Sequence, residues 1–381
     1  MNILVMTHSQ AKGFITTSFV DDQMRAHVRR GNRVRAIVAV PQGKENSFDR
    51  RIGKTIVRQE HEGVEYVFVR YLSLSGRGEK SFNVRSFIHV LNRKLPEILR
   101  GFTPDVIHAH TVLFDGRIGI WLKKKLAVPL VVTTHGGDIV KPMARGWSGL
   151  LKEICDGADE MAADSSALGR KCEGLGTVKK VVPVTLGYAS NIEVPPVERI
   201  PKRLIQVSNF VPSKRIAVTI EALRILHAED PAYHLILIGD GPEREKMEAL
   251  VQEYGLQEAI AFKGRQPNAK VLEEMVASSY FVMVSAPEGL GIVYIEAMSQ
   301  GCLAIGTTGE GVADIISDGE NGYLLPVDRP DLIADRIRAC EQDPDLRERL
   351  RAAGQEKASG LTWDRAAAEY EKLFQKAMAC R

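Results

Sequence analysis

Short apolar runs rich in β-branched residues recur along the whole chain, and a helical stretch follows nearly every one. "NILVM" (2–6), "RVRAIVAV" (33–40), "DVIHAH" (105–110) and "PLVVTTH" (129–135) are almost unbroken in hydrophobicity, as strands buried on both faces must be. Between the first two lies "SFVDDQMRAHVRRG", with Ser18 placed to cap, Val20, Met24 and Val28 on one face, and Gly31 as a stop. Strand, helix, strand in this order implies parallel pairing through right-handed crossovers.

The rhythm breaks at "YASNIEVPPVERIPK" (188–202), where Pro195, Pro196 and Pro201 sit among polar neighbours, the composition of a connection. A second series follows: "RLIQVS", "YHLILIG", "AIAFKG", "YFVMVS", "CLAIGT" and "GYLLPV". The expected organisation is a Rossmann-like domain over 1–187, a linker over 188–202, a second Rossmann-like domain over 203–361, and a helix over 362–381. That helix carries Ala367, Tyr370, Leu373 and Phe374 on one face, free to pack back on the first domain. Two doubly wound units would hold a ligand at strand carboxyl ends, in a cleft where they face each other.

With 44% hydrophobic and 26% charged residues in 381, the chain is globular and long enough for two cores. No run of about eighteen apolar residues predicts a membrane-spanning helix. The amino terminus reads as a strand rather than a signal peptide. Cys155, Cys172, Cys302, Cys340 and Cys380 are scattered without a CxxC pair, so neither a disulfide framework nor a metal site is expected, and a reducing cytoplasm fits. The net charge of +3 conceals an asymmetry: 29 Lys and Arg stand against 18 Asp and Glu up to residue 185, and 22 against 30 after it. A basic first half attracts phosphate or anionic lipid. No aromatic-interleaved basic stripe points to nucleic acid.

One stretch concentrates chemistry. In "SAPEGLGIVYIEAMSQG" (285–301) a buried strand ends in a glycine-rich turn and a helix follows. Amides at the start of such a helix suit a phosphate or a sugar hydroxyl, and Gly289 and Gly291 let a ligand approach the backbone. Glu288 sits at the mouth of the turn, and Glu296 in the helix could grip a diol such as a ribose. Two solvated glutamates beside an ordinary turn are the bland alternative, favoured by spacing alone.

The surrounding text resembles the family 4 glycosyltransferases, retaining enzymes of the GT-B fold. "EGLGIVYIEAMSQGCLAIGT" followed by "GVADIISDGENGYLLPVD" looks like their signature E-x-F-G-x-x-x-x-E-A-M with its later glycine turn. "PDVIHAH", "THGGD", "VSNFVPSKR", "LILIGDGPE" and "FKG" fall in the family's order. The resemblance implies a nucleotide-sugar donor, a UDP- or GDP-sugar, and no cofactor or metal. Glu288 would hold donor-sugar hydroxyls, the backbone of Gly289, Leu290 and Gly291 would bind sugar or phosphate, and Glu296 would take the ribose. Lys214 would neutralise the diphosphate, and His135 in "THGGD" would lie beside the donor sugar. Asn209 stands where the family often has an arginine, which leaves Arg215 and Arg265 as candidate replacements. Leu290 replaces the signature phenylalanine. The amino-terminal "QAKGFITTSF" carries only Gly13 in place of a glycine pair.

The resulting expectation is a metal-independent, retaining transfer of a sugar to a glycan or lipid-linked acceptor held by the first domain. The expected place is the cytoplasm, with peripheral contact to the inner face of an anionic plasma membrane as an additional expectation. The alternatives are a nucleotide-sugar epimerase of the same architecture and a sugar-nucleotide binding protein without catalysis. "GDGP" (239–242) reads as a tight turn into a helix at Pro242. His108 and His110 read as packing or cleft-lining groups, and Lys123 to Lys125 as a solvated helix end. Residues 82–102 read as a core-packed helix interrupted by Pro96, with a lipid-docking basic helix as the sharper reading.

Overall fold

The structure is a computed structural model that describes residues 1–8, 19–42, 55–74, 81–188, 194–195 and 197–379. Gly13 with its loop, the cap expected at Ser18, Cys380 and part of the 188–202 stretch lie outside the described residues. Two compact units divide the chain: Met1–Thr185 with Trp363–Arg381, and Leu186–Thr362.

The first unit contains strands β1 (Asn2–Thr7), β2 (Arg33–Gln42), β3 (Ile56–His61), β4 (Val64–Leu72), β5 (Val106–Ala109), β6 (Leu130–Thr134), β7 (Glu160–Ala163) and β8 (Val181–Pro183). Among the described residues they form one sheet in the order β3-β4-β2-β1-β5-β6-β7-β8. The winding reverses where β5 is laid beside β1. Every pairing is parallel except β3 with β4. That exception departs from the all-parallel reading. Glu62 and Gly63 have φ of 47° and 76°, so "EHEGVEY" is a two-residue hairpin, which only an antiparallel pair can use.

Helix Trp363–Ala379 belongs to this unit, with Ala367, Tyr370, Leu373 and Phe374 buried. It packs against helix Phe19–Arg29 and β5 to β7, and pairs Arg29 with Asp364 (2.7 Å), Arg30 with Glu371 (2.9 Å) and Glu160 with Lys376 (2.9 Å). Helix Phe82–Ile98 buries Phe87, Leu91, Leu95 and Ile98 against β4 and runs on through Pro96. The proline sits in the last turn, where the one carbonyl it deprives belongs to exposed Asn92. Lys123 is not part of a solvated end, because it pairs with Asp159 (2.7 Å) and donates to the Gly157 carbonyl (3.1 Å). Lys124 and Lys125 are exposed.

The second unit holds β9 (Ile200–Val207), β10 (His234–Ile238), β11 (Ile260–Gly264), β12 (Ser278–Val282), β13 (Leu303–Thr307) and β14 (Tyr323–Leu325). Their order is β11-β10-β9-β12-β13-β14, parallel throughout. Here the reversal falls at β9 and β12. β9 begins at Ile200, inside the stretch read as a linker. "GDGP" is a turn, but the helix after it starts at Arg244 rather than Pro242. The turn is tied to the loop after β9: Phe210 N–H donates to Asp240 O and Glu243 N–H to Phe210 O, both at 3.0 Å. A Cβ on Gly239 would stand 1.8 Å from the Ser208 carbonyl, so only glycine allows the approach.

Candidate active site

At a reversal of winding, the loops leaving two adjacent strands diverge to opposite sides of the sheet and open a crevice. In the second unit those loops follow β9 and β12. They are joined where Ala286 N–H donates to Ser213 O at 2.9 Å. Lys214 ends a single 3₁₀ turn after β9, Pro212–Lys214, with its carbonyl accepting from Gln206 Nε2 at 2.8 Å. Its ammonium donates to Glu288 Oε2, which also accepts from Ser285 Oγ at 2.8 Å. Glu310, on the loop after β13, accepts the Glu288 N–H at 2.9 Å. One carboxylate is thus aimed by three loops.

Leu290 is buried, so the apolar swap in the signature is a packing residue. Gly291 has φ of 78°, and a Cβ there would come within 2.8 Å of the Tyr294 ring. Helix Ile292–Ser299 starts at this glycine without a side-chain cap, and amides at such a helix start suit an anion. Gly289 and Gly291 are partly exposed there. Glu296 lies in the second turn and accepts from Asn268 Nδ2 at 3.5 Å.

The remaining candidates are less convergent. Arg215 pairs with Asp328 at 3.3 Å, and Asn209 and Arg265 are exposed at the carboxyl ends of β9 and β11. Arg265 therefore stands on the outer strand, two places from β9. Ser285 and Glu310 are the members that reading the sequence missed. Their signal was position, since each closely follows a strand at its carboxyl end.

The first unit has its own site at its own reversal. A cavity of about 1190 Å³ opens at the carboxyl ends of its strands. His135, just after β6, has Nδ1 2.9 Å from both Asp164 oxygens, and its N–H donates to Asp138 at 3.0 Å. Asp138 also accepts from Val112 N–H (2.8 Å) and Thr134 Oγ1 (2.9 Å), which shapes the "THGGD" loop. Burial would lower the His135 pKa, but Asp164, with Asp138 and Asp115 behind it, raises it above the usual value. The carboxylate on Nδ1 fixes the tautomer and turns Nε2 toward His110 Nδ1, 3.4 Å away. His110 and His108 are fully buried and held well below the usual histidine value, first by burial and then by neighbouring imidazoles. His108 bonds Thr133 at 2.8 Å, while His110 lines the cavity.

A second imidazole was not foreseen. His8, directly after β1, has Nδ1 3.0 Å from both oxygens of buried Asp115, which also accepts from Thr111 Oγ1 at 2.9 Å. Tyr71, Leu72, Leu74, Phe114 and Trp147 form an apolar wall of the cavity, with Lys141 and Arg145 beside it. Among the described residues no group of three or more His, Cys, Asp or Glu is placed to hold a metal ion, and no helix is long and apolar enough to cross a membrane.

Two units each with a parallel sheet and a site at the winding reversal are matched by known proteins. Residues 16–187 fit the profile described as Glycosyltransferase Family 4, and residues 191–357 fit that of Glycosyl transferases group 1. The lipopolysaccharide core biosynthesis glycosyltransferase LpsD of Rhizobium meliloti is 30% identical over 295 residues, 77% of this chain and 81% of that one. Sucrose-phosphate synthase from Thermosynechococcus elongatus superimposes with a TM-score of 0.80 over 100% of both chains at 18% identity. Anabaena HepE in complex with UDP-glucose does so at 0.72, over 98% of this chain and 100% of that one, also at 18% identity. The chain belongs to the family 4 glycosyltransferases and has the GT-B fold.

Proposed function

We propose that the protein transfers a sugar from a nucleoside diphosphate sugar, UDP- or GDP-linked, to a glycan or lipid-linked acceptor, with retention of anomeric configuration and without a metal. The observation that carries this is the Lys214–Glu288 pair at the β9/β12 reversal, its two loops joined by the Ser213–Ala286 bond. A departing nucleoside diphosphate gains negative charge as the glycosidic bond breaks. Lys214 and the first amides of Ile292–Ser299 meet that charge, and fixed positive groups stabilise it more in the transition state than before it. Glu288 orients donor-sugar hydroxyls, Glu296 accepts from the ribose, and His135 serves the reacting sugar.

Glu288 is ion-paired with Lys214 and accepts from Ser285, which suits a group that grips hydroxyls better than a nucleophile. Retention then follows from same-side attack through an oxocarbenium-like state. The acceptor oxygen bonds to the anomeric carbon as the phosphate oxygen leaves, and that oxygen takes the acceptor proton. The apolar wall with Lys141 and Arg145 favours an amphiphilic, anionic acceptor for the first unit. The name of the relative LpsD, a lipopolysaccharide core biosynthesis glycosyltransferase, supports a role in cell-surface glycan assembly; a cytoplasmic location is part of the proposal. Peripheral contact with anionic lipid, through Arg85 and Arg93 on the exposed side of Phe82–Ile98, belongs to the same proposal. Flotation with phosphatidylglycerol vesicles tests it, and binding insensitive to salt removes it.

The deciding assay follows nucleoside diphosphate release from UDP- and GDP-sugars, with and without core oligosaccharide as acceptor. Acceptor-dependent release with a retained anomer is expected. Isomerised donor in the absence of acceptor would mean an epimerase, and tight nucleotide binding without turnover a binding protein.

A further inference from the structure

The amino ends of the central strands of the second sheet, opposite the strand ends that carry Lys214 and Glu288, hold a cavity that the proposed sugar transfer does not use. Where β9, β12 and β13 begin, a cavity of about 300 Å³ is lined by Arg199, Arg347 and Arg351, with Ser279, Leu303 and one carboxylate, Glu348. Arg199 is locked by backbone carbonyls: Nη1 donates to Ser278 O, and Nη2 to Gln300 O at 2.8 Å. Its charge also acts on Glu348, which it helps hold below the usual glutamate value after the Arg351 hydrogen bond. Arg351 donates through Nε to Glu348 at 2.8 Å and through Nη1 to Gln355 at 3.2 Å. Arg347 gives Nη1 to Glu341 at 2.7 Å.

The guanidinium groups also converge. A Cβ on Gly301 would lie 2.8 Å from Arg199 Nη2 and 2.9 Å from Arg351 Nη1. Both guanidinium groups therefore border the space that a side chain on Gly301, whose φ is 79°, would fill. Like charges gathered at one cavity repel, and the repulsion is strongest where water is partly excluded. An anion with acceptors in several directions turns the repulsion into shared binding, because guanidinium forks match phosphate geometry.

We propose that this cavity is an anion site for a phosphate group, either free phosphate or the monoester of a small metabolite. Its volume is at the lower bound of small-molecule pockets. Glu348 competes for Arg351, so the carboxylate sets how tightly an anion binds. Because the cavity lies at the other end of the strands from the Lys214 loop, occupancy is independent of the donor site.

The test titrates the full chain with sodium phosphate, and separately with glycerol 3-phosphate, against sodium chloride at matched ionic strength. Melting temperature and calorimetric binding are read together. Saturating phosphate is expected to raise Tm by about 2 °C while chloride does not. The R347Q/R351Q double variant should bind at least about tenfold more weakly, since two charge-assisted contacts are gone. E348Q should bind several-fold more tightly, and K214A should respond as the wild type does. Tighter binding of glycerol 3-phosphate would assign a monoester, and tighter binding of phosphate the free ion. An equal response to chloride would overturn the proposal, as would a response that survives in R347Q/R351Q or disappears in K214A. If the double variant does not fold, E348Q decides alone: an altered Tm with unchanged phosphate affinity would mean that the arginines serve only structure.

Discussion

Both sheets reverse their winding once, and at each reversal a basic side chain from one loop meets a carboxylate from the other. His8 meets Asp115 in the first unit, and Lys214 meets Glu288 in the second. The pairs are built differently. Asp115 has no exposed side chain and His8 is 45% exposed, whereas Lys214 and Glu288 are 21% and 12% exposed. A buried carboxylate already bonded by Thr111 cannot exchange partners, so it presents one imidazole in one tautomer. Two partly covered charges can separate when a stronger anion arrives. In the proposed reaction the first arrangement would suit holding a neutral hydroxyl, and the second would keep a cation ready for the charge that grows on the leaving group.

The hardest test of that contrast is Lys214→Ala. If the ammonium meets the leaving diphosphate, kcat should fall by about 10³-fold. Stability should change by only about 1 kcal/mol, because a partly solvated ion pair contributes little to folding. Steady-state kinetics with a denaturation curve checks both, and a kcat within about threefold of wild type would make the pair merely structural. Glu288→Gln keeps the shape and the Ser285 contact while removing the charge. Turnover is expected to drop about 10²-fold with the affinity for nucleoside diphosphate retained or improved, since Lys214 is released. Weaker diphosphate binding would show that Glu288 has some other role.

How much of this contrast could be read from residues alone also differs between the units. In the second, turn and helix form one continuous stretch, 285–301, so local pattern singled out Glu288 and the Gly289–Gly291 turn as candidates, while Lys214, on the separate loop after β9, was a candidate only through the order of motifs. The tie to Glu310 comes from a different loop and depends on β13 lying next to β12, which no periodicity reveals. In the first unit the partners are far apart in sequence: His8 with Asp115, His135 with Asp164. His135 was legible through "THGGD", but its carboxylate follows β7, a four-residue strand too short to stand out as a pattern. The β3–β4 hairpin was missed for a related reason. β3 is largely exposed and polar, so it lacks the apolar run that marks buried strands.

Asp115→Asn sharpens the comparison from the first unit's side. The amide is isosteric and still accepts from Thr111, but it no longer fixes the His8 tautomer. If His8 serves the proposed acceptor, acceptor KM should rise about tenfold while donor KM stays the same. Some loss of stability, on the order of 1–3 kcal/mol, accompanies a disturbed buried contact. His8→Gln, on a half-exposed side chain, should reproduce the kinetic effect with a smaller loss of stability. A rise in donor KM with unchanged acceptor KM in both variants would reverse the assignment of the two sites.

The smallest effect concerns how rigidly the first unit holds its charge, and it is read by pH. Burial alone would pull His135 below its ordinary 6.5, and Asp164, with Asp138 and Asp115, more than reverses this, so the folded value lies above it. The native protein then keeps a proton that the unfolded chain releases near pH 6.5. The stability this confers is complete below that pH and is lost as pH rises through the elevated folded value. Asp164→Asn removes the nearest carboxylate, leaving burial to push His135 down instead. Melting curves taken from about pH 6 to pH 9 at constant ionic strength should fall more steeply for the wild type than for the variant. Parallel curves would mean that the imidazole is neutral in the folded protein, and the first site would then hold its histidines by packing rather than by charge.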